Sequence, residues 1–541
     1  MELIPGHSHY APGSEVILEL SVPAAVDGVI VVTKLHEVVR TVPVANGATR
    51  VHLGGFDRGG YGVRLGEHRT AFDVLESPFE RPRYGFVVTL SDDADIEAVT
   101  RNFRRLHLNL AQFYDWGYRH SQLMPPEDHY VDPLGQERDL QVVNRMARAL
   151  EDAGTVPLGY SAVYAIGSSE VAEWPNSLLL RADGEPYRLG EDFLVLVDPA
   201  EPRWLEHYLG RLEEVIARSE LRGFHLDQYG WPKFAIRSDG AHIDLAESFV
   251  TLLAAVRERL PAALFMFNNV NDFPTWATAT SPQDATYIEV WEPHSTLQDL
   301  ATLAVNARAA RPEHPPILSA YLSCYDKDES RANNAAGLVM ATAFSHGASH
   351  LLLGESGNVL TDPYYPRNHR LRAESLDFFA RWYDFGVRYG DLLFDPATQD
   401  VTESFTGGIN EDVVFESAGS NGAEFSTKAI SGTIWTRVVR TPLGLVIHLV
   451  NLVGQTETVW DAGKGDPVRQ RGITVSLAMV GKDARLYFAT VDSPDLIELT
   501  PAGIAAGRQE NSLSAGQAGV SFSLPEFGEW AVLFLPTGEF A

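Results

Sequence analysis

Short apolar runs separated by glycine, proline and asparagine turns occupy the first 80 residues of the chain. Runs at 16–20, 29–32 and 51–53 consist of apolar and β-branched residues, as strands do. Strands this short, with a turn signal after each one, are typical of a small sandwich. The pattern therefore predicts an N-terminal β-sandwich over residues 1–80.

After Pro82, apolar runs alternate with stretches whose apolar positions recur at helical spacing, such as Val143, Met146 and Leu150. Eight strands joined by helical crossovers predict a central (β/α)8 barrel over residues 81–394. A doubly wound sheet is the rival, but it gives no reason for carboxylates at successive strand ends. The predicted strands are 84–90, 107–114, 156–163, 222–228, 263–268, 285–291, 315–322 and 348–354.

Two of the intervening helices have distinctive signals. Asp198 and Pro199 are interpreted as the cap and first residue of a helix that carries Leu205, Leu209 and Leu212 on one face. Only a short helix fits between the fifth and sixth strands.

The helical pattern stops past residue 395. Apolar runs at 432–435, 445–450 and 530–535 read as strands and predict a second β-sandwich over residues 395–541. The expected fold class is multidomain, with an α/β barrel flanked by two all-β units.

The charge of the chain narrows the class of partner. Its 541 residues include 43 lysines and arginines against 72 aspartates and glutamates, for a formal net charge of −29. Nucleic acids and anionic membranes attract basic surfaces, so neither is expected as a partner. A neutral ligand fits this charge better.

Cysteine content and the opening residues bear on location. Cys324 is the single cysteine, so no intrachain disulfide can form. The chain opens with neither a basic start nor an apolar signal segment, and no apolar run reaches the ~18 residues that span a bilayer. The simplest expectation is a cytoplasmic protein, although a secreted protein with its signal removed would look the same.

Carboxylates stand where predicted strands end. Asp227 ends the apolar run in Gly-Phe-His-Leu-Asp-Gln-Tyr-Gly at 223–230, and Glu289 ends the run in Tyr-Ile-Glu-Val-Trp at 287–291. Chemistry in a (β/α)8 barrel takes place at the C-terminal ends of the strands. Two acids walled by aromatic side chains at that end are what glycosidic-bond cleavage requires.

Different roles are predicted for the two acids. Asp227 is the predicted nucleophile, because neighbouring donors can hold it in one pose and keep it ionised. Glu289 is the predicted acid/base, because Tyr287 and Trp291 would partly desolvate it and raise its pKa. Glu292 is the rival acid, but it falls beyond the strand. If the pair acts with retention, the carboxyl groups should lie ~5–5.5 Å apart.

Amides, acids and aromatic residues at the same strand ends are predicted to bind a sugar. Aromatic faces stack on sugar C–H faces, and amides and acids hydrogen-bond the ring hydroxyls. Any single aromatic residue here could equally be barrel packing, and Asp115 or Glu355 could tune a neighbouring acid instead. The predicted substrate-binding residues are Gln112, Tyr114, Asp115, Trp116, His225, Gln228, Tyr229, Asn268, Trp291, Tyr321 and Glu355.

Neither a metal nor a cofactor is predicted. The 17 histidines form no His-Glu-x-x-His motif, and a cysteine pair is absent. His225 is interpreted as a hydrogen-bond donor near Asp227 rather than as a metal ligand. A Gly-x-Ser-x-Gly elbow is also missing, which argues against a serine hydrolase.

At these residues the chain resembles glycoside hydrolase family 66, which holds dextranases and cycloisomaltooligosaccharide glucanotransferases. Four stretches carry the likeness, in matching order and spacing over essentially the whole chain. They are Arg-Tyr-Gly-Phe at 83–86, Gln-Phe-Tyr-Asp-Trp with Tyr-Arg-His at 112–120, Gly-Phe-His-Leu-Asp-Gln at 223–228, and Leu-Gly-Glu with Tyr-Pro-Arg-Asn at 353–368. The second and third are the specific ones.

The resemblance implies an N-terminal immunoglobulin-like sandwich, a catalytic (β/α)8 barrel and a C-terminal β-sandwich. It also implies retaining cleavage of α-1,6-glucosidic bonds, with the family's nucleophile on Asp227 and its acid/base on Glu289. Two departures matter. Members that act on dextran are usually secreted, which makes a short imported isomaltooligosaccharide, or a cyclic one, an alternative substrate. Cyclising members carry an inserted carbohydrate-binding module for which this barrel region has no room.

The predicted function is therefore a retaining glycoside hydrolase acting on dextran or isomaltooligosaccharides. The alternative is a transglycosylase that forms or opens cyclic α-1,6-glucans, since water and a 6-hydroxyl can resolve the same intermediate. A non-catalytic carbohydrate-binding protein is the alternative from another class, and the presence of both acids argues against it. A barrel lyase or aldolase would need a metal cluster or a Schiff-base lysine, and the predicted strands contain neither.

Overall fold

The computed structural model describes residues 1–407, 409–418, 422–504 and 519–539. Its first seven elements are β-strands. They form a three-stranded and a four-stranded antiparallel sheet. One apolar core takes Val16 and Leu18 from the first sheet and Ile30 and Val32 from the second. The strands are Leu3–Pro5, Val16–Leu20, Gly28–Lys34, Glu37–Val44, Arg50–Gly54, Gly59–Leu65 and His68–Val74, and a 3₁₀ turn, Pro78–Glu80, follows.

Eight parallel strands form the central sheet, each where the sequence predicts one. Neighbours in the chain are neighbours in the sheet. The eighth strand has two parts: Ser349–His350 pairs with the seventh strand, and Leu353–Gly354 pairs with the first, so the sheet curls until its edges meet. The first seven strands are Tyr84–Val87, Leu110–Phe113, Val156–Ala162, Gly223–Asp227, Leu264–Asn268, Ala285–Glu289 and Ile317–Ser319, and the antiparallel strands Asn358–Leu360 and Asn368–Arg370 extend the sheet.

A helix follows each central strand, and the fifth is the short one that was expected. The predicted start of the third helix is wrong: it begins at Pro202, and Glu201 caps it by accepting from the Trp204 amide at 3.0 Å. Asp198 instead accepts from the Ser248 hydroxyl at 2.9 Å. The eight helices are Ile96–Arg105, Leu140–Asp152, Pro202–Arg218, Leu245–Arg259, Thr275–Thr278, Leu297–Ala310, Glu329–Ser345 and Ala373–Arg388. Within the described ranges, no helix is both long and apolar enough to cross a bilayer.

Irregular loops and short strands enlarge the C-terminal end of the central sheet. They come after the second, third, fourth, fifth and seventh strands, so they build a wall around that end. The short strands are His129–Val131, Glu137–Asp139, Ala165–Gly167, Leu179–Leu180, Arg188–Leu189, Leu194–Leu196, Phe234–Arg237 and His242–Asp244, and the 3₁₀ turns are Ser168–Glu173, Val270–Asp272 and Ser323–Asp326.

Two short helices, Gly390–Leu393 and Thr402–Phe405, follow, and strands make up most of the regular structure in the described residues after them. A seven-stranded sheet consists of Gln399–Asp400, Glu424–Ser426, Thr433–Thr441, Gly444–Asn451, Leu486–Thr490, Ile497–Leu499 and Trp530–Pro536. A four-stranded sheet consists of Val413–Ser417, Ile473–Leu477, Pro501–Ile504 and Val520–Ser523, and Thr406–Gly407 pairs with Asn410–Glu411. The two larger sheets share an apolar core that includes Ile447, Leu533 and Val475. A 3₁₀ turn, Thr537–Glu539, follows the last strand.

A buried ion pair joins the N-terminal sheets to the central sheet. The Arg83 guanidinium donates to both carboxylate oxygens of Asp73, at 2.8 and 3.0 Å, and to the carbonyl oxygen of Ser8 at 3.1 Å. Both charged side chains are buried, so neither can lose its partner without a large penalty. The pair therefore anchors the start of the first central strand, Tyr84–Val87.

A C-terminal segment holds the loop after the sixth central strand. The Trp460 indole N–H donates to the carbonyl oxygen of His294 at 2.7 Å, and the Leu297 amide donates to the carbonyl oxygen of Thr458 at 2.9 Å. The sixth strand ends at Glu289. The C-terminal sheets therefore help to fix the backbone just beyond this acid.

Candidate active site

Asp227 and Glu289 meet at the C-terminal end of the central sheet. Each is the last residue of its strand, and alternation along the strand turns both side chains toward the inside of the curled sheet. Their exposed fractions are 8% and 9%, so each carboxyl is almost enclosed but still reaches the opening.

Asn268 ends the strand between them and bonds to both acids. Its amide nitrogen donates to Asp227 Oδ1 at 2.7 Å and to Glu289 Oε2 at 2.8 Å. A carboxylate oxygen only accepts hydrogen bonds, so the NH₂ group of the amide must face the pair. Because the two acceptor oxygens share one nitrogen, they lie no more than about 5.5 Å apart, which is closer than the ~6.5–9.5 Å between the carboxyl groups of an inverting pair.

The surroundings of Asp227 act on its pKa in two directions. Burial raises the pKa of the carboxyl, and hydrogen bonds from Tyr160, Asn268 and the backbone oppose this rise by stabilising the charged form. The Tyr160 hydroxyl donates to Oδ2 at 2.7 Å. Each carboxylate oxygen therefore has its own donor, and the side chain is held in one pose.

Glu289 is the more easily protonated acid of the pair. Burial, and then the negative charge of Asp227, raise its pKa to about 7, while donors from Asn268, Tyr321 and Trp291 oppose the rise. The charge of Asp227 raises the pKa of Glu289, so Asp227 ionises first and Glu289 last. At weakly acidic pH the site therefore holds one ionised and one protonated carboxyl group side by side.

Tyr160 is a site residue that the sequence analysis missed. It lies two residues before the end of the third strand, Val156–Ala162, whereas the predictions considered residues at strand ends. Ala162 pairs with Asp227 in the sheet, and the long tyrosine side chain reaches the same carboxylate from one layer below. Side-chain parity was the available signal, because Leu158 and Tyr160 alternate onto the inside face.

We expect Tyr160→Phe to move the acidic limb of the pH profile of kcat/KM upward by about one to two pH units. The hydroxyl stabilises ionised Asp227, so its loss raises the pKa of this carboxyl. A higher pH is then needed to ionise Asp227 and make the enzyme active. The acidic limb of kcat/KM reports the pKa of Asp227 in the free enzyme. Steady-state rates measured across the pH range give its position.

Tyr208→Phe is the matched control for this change. The Tyr208 hydroxyl bonds at 2.7 Å to Ser161, whose side chain lies on the opposite face of the strand that carries Tyr160, and Tyr208 is buried. This variant should keep the wild-type acidic limb. An unmoved limb in Tyr160→Phe would show that the hydroxyl does not hold the charge on Asp227.

Aromatic side chains close the site on two sides. The Tyr321 ring lies 5.8 Å from that of Trp291 beside Glu289, and the Tyr114 ring stacks on that of Tyr160 at 6.5 Å. Trp291 is 37% exposed, whereas Tyr114 and Tyr321 are 5% exposed. The structure thus brings three of the five predicted aromatic residues to the acids, and Trp291 is the most exposed of the three.

Tyr229 and Asp115 lie at the edge of the same opening. Tyr229 is half-buried, and its ring stacks on that of Tyr164 at 5.5 Å. Asp115 has a left-handed backbone, with φ of 38°, which aspartate tolerates better than most residues. Arg138 supports this turn by donating to the Asp115 carbonyl at 3.2 Å. Burial and the charge of Asp132 raise the pKa of Asp115 to about 7.

Two predicted substrate contacts are wrong because the side chains serve the fold. Trp116 is fully buried, and its indole N–H donates to the carbonyl oxygen of Tyr160 at 3.1 Å. Gln228 is 1% exposed, and its amide donates to the carbonyl oxygens of Asn268 and Phe273 at 3.1 and 3.0 Å. Neither side chain has a polar atom left for a ligand, so one packs beneath the site and the other ties two loops together.

The side chains of three further predicted contacts are buried within the fold. His225 sits one layer below Asp227 and bonds to the Tyr84 hydroxyl at 3.2 Å, and burial lowers its pKa to about 3. The expected bond from His225 to Asp227 is absent among the described residues. Gln112 is also buried, with an amide oxygen that no described group contacts. One Glu355 carboxylate oxygen accepts from the backbone amides that follow the first strand, where it helps to close the sheet.

The two carboxyl groups are the reactive groups of the site. No three histidine, cysteine, aspartate or glutamate side chains in the described ranges come together as a metal site. The ionised carboxylate can attack or stabilise an electron-poor carbon. The protonated carboxyl can give its proton to a leaving oxygen.

Acids paired in this way at the end of a curled parallel sheet define a class of protein, the enzymes that act on glycosidic bonds. Comparison with protein families gives the same class and narrows it. The model of glycosyl hydrolase family 66 matches residues 7–534, and the chain belongs to this family.

Two curated relatives are cycloisomaltooligosaccharide glucanotransferases from Niallia circulans. They are 19% and 20% identical over 631 and 640 residues, which take in 87% and 88% of this chain but only 63% and 64% of theirs. The chain thus spans a little under two thirds of the length of these relatives. The aligned stretches are also longer than the 541 residues of this chain, so the relatives contain segments with no counterpart here.

Solved structures share the fold at low sequence identity. A cycloisomaltooligosaccharide glucanotransferase from Paenibacillus sp., complexed with cycloisomaltoheptaose, matches 99% of this chain and 99% of its own, with a TM-score of 0.86 at 16% identity. An α-L-fucosidase isoenzyme 2 from Paenibacillus thiaminolyticus matches 85% of this chain and 100% of its own, with a TM-score of 0.51 at 11% identity. The whole architecture therefore resembles the first of these far more closely.

Proposed function

We propose that this enzyme cleaves α-1,6-glucosidic bonds in dextran-like glucans or isomaltooligosaccharides with retention of anomeric configuration. Asp227 is the nucleophile and Glu289 is the acid/base. The observation that carries the proposal is the single Asn268 amide bonded to both carboxylates, because it keeps the two bonded oxygens closer together than the ~6.5–9.5 Å of an inverting pair. The names of the relatives support an isomaltose-type glucan as the substrate.

The reaction takes two steps. In the first, an Asp227 oxygen attacks the anomeric carbon while Glu289 gives its proton to the leaving 6-oxygen. The glycosidic C–O bond breaks, its electron pair stays on that oxygen, and a glycosyl ester of Asp227 remains. In the second, Glu289 takes a proton from water, whose oxygen attacks the anomeric carbon and frees the Asp227 carboxylate. Both acids return to their starting protonation.

The protonation states support these roles. Donors from Tyr160 and Asn268 stabilise the ionised form that a nucleophile needs. Burial and the neighbouring charge keep Glu289 protonated up to a pKa of about 7, as a general acid needs. The enzyme should therefore work best at weakly acidic pH, between the ionisations of the two acids.

The proposed architecture places these acids in a (β/α)8 barrel over residues 81–394. An immunoglobulin-like sandwich over residues 1–80 and a β-sandwich over residues 395–541 flank it. Support for the barrel comes from the split eighth strand, whose parts pair with the first and seventh strands. The sandwiches are supported by the apolar cores between paired sheets.

Five residues around the acids are proposed to bind the sugar at the cleaved bond. Trp291 and Tyr229 offer partly exposed faces for stacking, and Asp115, Tyr114 and Tyr321 offer polar groups for ring hydroxyls. All five border the opening in which the carboxyl groups of Asp227 and Glu289 lie.

Cyclisation is the second candidate, and the relatives' names favour it. The glycosyl ester is the same, but the 6-hydroxyl at the far end of the same chain attacks it in place of water. Within the aligned stretch the two Niallia circulans enzymes contain segments that this chain lacks, and we keep hydrolysis as the first candidate.

Products from linear isomaltooligosaccharides of graded length should separate the two candidates. We expect each substrate to give a mixture of shorter linear oligosaccharides, with the α-anomer of the new reducing end formed first. Mass spectrometry identifies rings, which weigh one water less than their linear counterparts, and NMR follows the anomer before mutarotation. Rings as the main product would replace hydrolysis by cyclisation, and a first-formed β-anomer would overturn retention.

A further inference from the structure

The exposed aromatic side chains of the described residues belong to segments at one end of the central sheet. Among the described residues, four aromatic side chains are more than a third exposed, and all follow the C-terminal ends of central strands. The four rings therefore belong to segments that leave the end of the central sheet where the acids lie. They are Phe234, Trp276, Trp291 and Tyr364, with exposed fractions of 69%, 68%, 37% and 41%.

The loops that carry the two most exposed rings touch each other. Lys233, next to Phe234, extends over the ring of Phe273 at 5.1 Å, and Phe273 packs edge-on against Trp276 at 5.6 Å. Phe234 and Trp276 therefore belong to neighbouring segments, those after the fourth and fifth strands. We call Phe234 and Trp276 the outer platform.

The outer platform is built onto the backbone that carries the site. Gln228 follows Asp227 and donates to the Phe273 carbonyl at 3.0 Å. The Thr278 hydroxyl, in the same short helix as Trp276, donates to the side chain of Asn269, which follows Asn268. These bonds hold the platform at the level of the strand ends rather than lower on the outside of the sheet.

We propose that the outer platform binds glucose units of the substrate chain that are remote from the cleaved bond. This inference rests on the proposed function and adds that the preferred substrate is long. Pyranose rings present flat C–H faces that aromatic rings cover well. A protein partner is disfavoured, because polar residues such as Lys233 and Thr280 are also exposed here and interrupt the apolar area.

Trp276→Ala should lower kcat/KM for dextran and isomaltooctaose by about five- to tenfold and leave isomaltotriose unchanged. A short substrate that fills the cleavage site does not reach the platform. Trp276→Phe should retain most of the activity on long chains, since it keeps a ring. Equal losses on short and long substrates, or no loss on either, would overturn the proposal.

Binding provides a readout that does not depend on turnover. Wild-type protein should be retarded in a native gel containing dextran, and Trp276→Ala should be retarded less. Val38→Ala changes an exposed residue of the N-terminal sheets and should behave as wild type. If no isomaltooligosaccharide is turned over at all, the proposed function fails, while retardation still tests Trp276. Equal mobility of wild type with and without dextran would rule the platform out.

Discussion

Asp227→Asn is expected to lose turnover of isomaltooligosaccharides by on the order of 10⁴-fold or more. The amide has the shape of the carboxylate but cannot form the glycosyl ester. The fold should survive, because the carboxyl is buried with a raised pKa and a neutral group of the same size suits that position. Reducing-end assays measure the loss, and calorimetric titration with isomaltooligosaccharide should find binding largely intact.

Azide makes the assignment of roles sharper. In Asp227→Ala, azide can enter the space left by the carboxylate and displace the leaving sugar once, so the glycosyl azide should have inverted configuration. In Glu289→Ala, azide attacks the glycosyl ester of Asp227, so the product should keep its configuration. NMR distinguishes the two anomers. The same configuration from both variants, or full activity of Asp227→Asn, would show that Asp227 is not the nucleophile.

Glu289→Gln is expected to lower kcat on natural glucans by about 10²- to 10⁴-fold. The loss should be much smaller for an aryl isomaltoside with a good leaving group, because that group departs without protonation. With such a substrate the variant should also lack the alkaline limb of the wild-type profile. That limb falls as Glu289 loses its proton above a pKa of about 7, and an amide has no proton to lose.

Glu292→Gln is the matched control, since Glu292 was the rival acid. Its side chain is exposed, and its carbonyl oxygen, not its carboxylate, accepts from Asn271 at 2.6 Å. This variant should keep wild-type rates and both limbs of the profile. A loss in Glu292→Gln as large as in Glu289→Gln would reassign the acid. An unchanged alkaline limb in Glu289→Gln would exclude Glu289 as the group that titrates there.

Strand ends were predictable because burial on both faces leaves a continuous apolar run that stops where the loop begins. This signal located Asp227, Asn268 and Glu289, and each of them ends its strand in the structure. Helix ends were harder. Asp198 and Glu201 each precede a proline, but in the structure Glu201 caps the helix, while Asp198 accepts from Ser248 and Arg237, which are distant in sequence.

The sequence could not show which of several residues of the same type at the strand ends are exposed to a ligand and which are buried. Trp116 and Trp291 stand in similar aromatic contexts, but one is fully buried and the other is 37% exposed. Gln228 follows Asp227 directly, yet its amide turns to the backbone of the next loop. Burial and hydrogen bonding of this kind depend on which loop packs above a residue, and the local sequence pattern does not determine that.

The order of strands and helices, the two acids and the polar character of the strand ends follow from the chain alone, because periodicity and residue type are local properties. The bridging amide of Asn268, the phenol of Tyr160 on the nucleophile and the exposed rings of the outer platform arise only when distant strands and loops come together. Contacts between segments far apart in sequence are made by folding, and they decide which of many suitable side chains can reach a sugar.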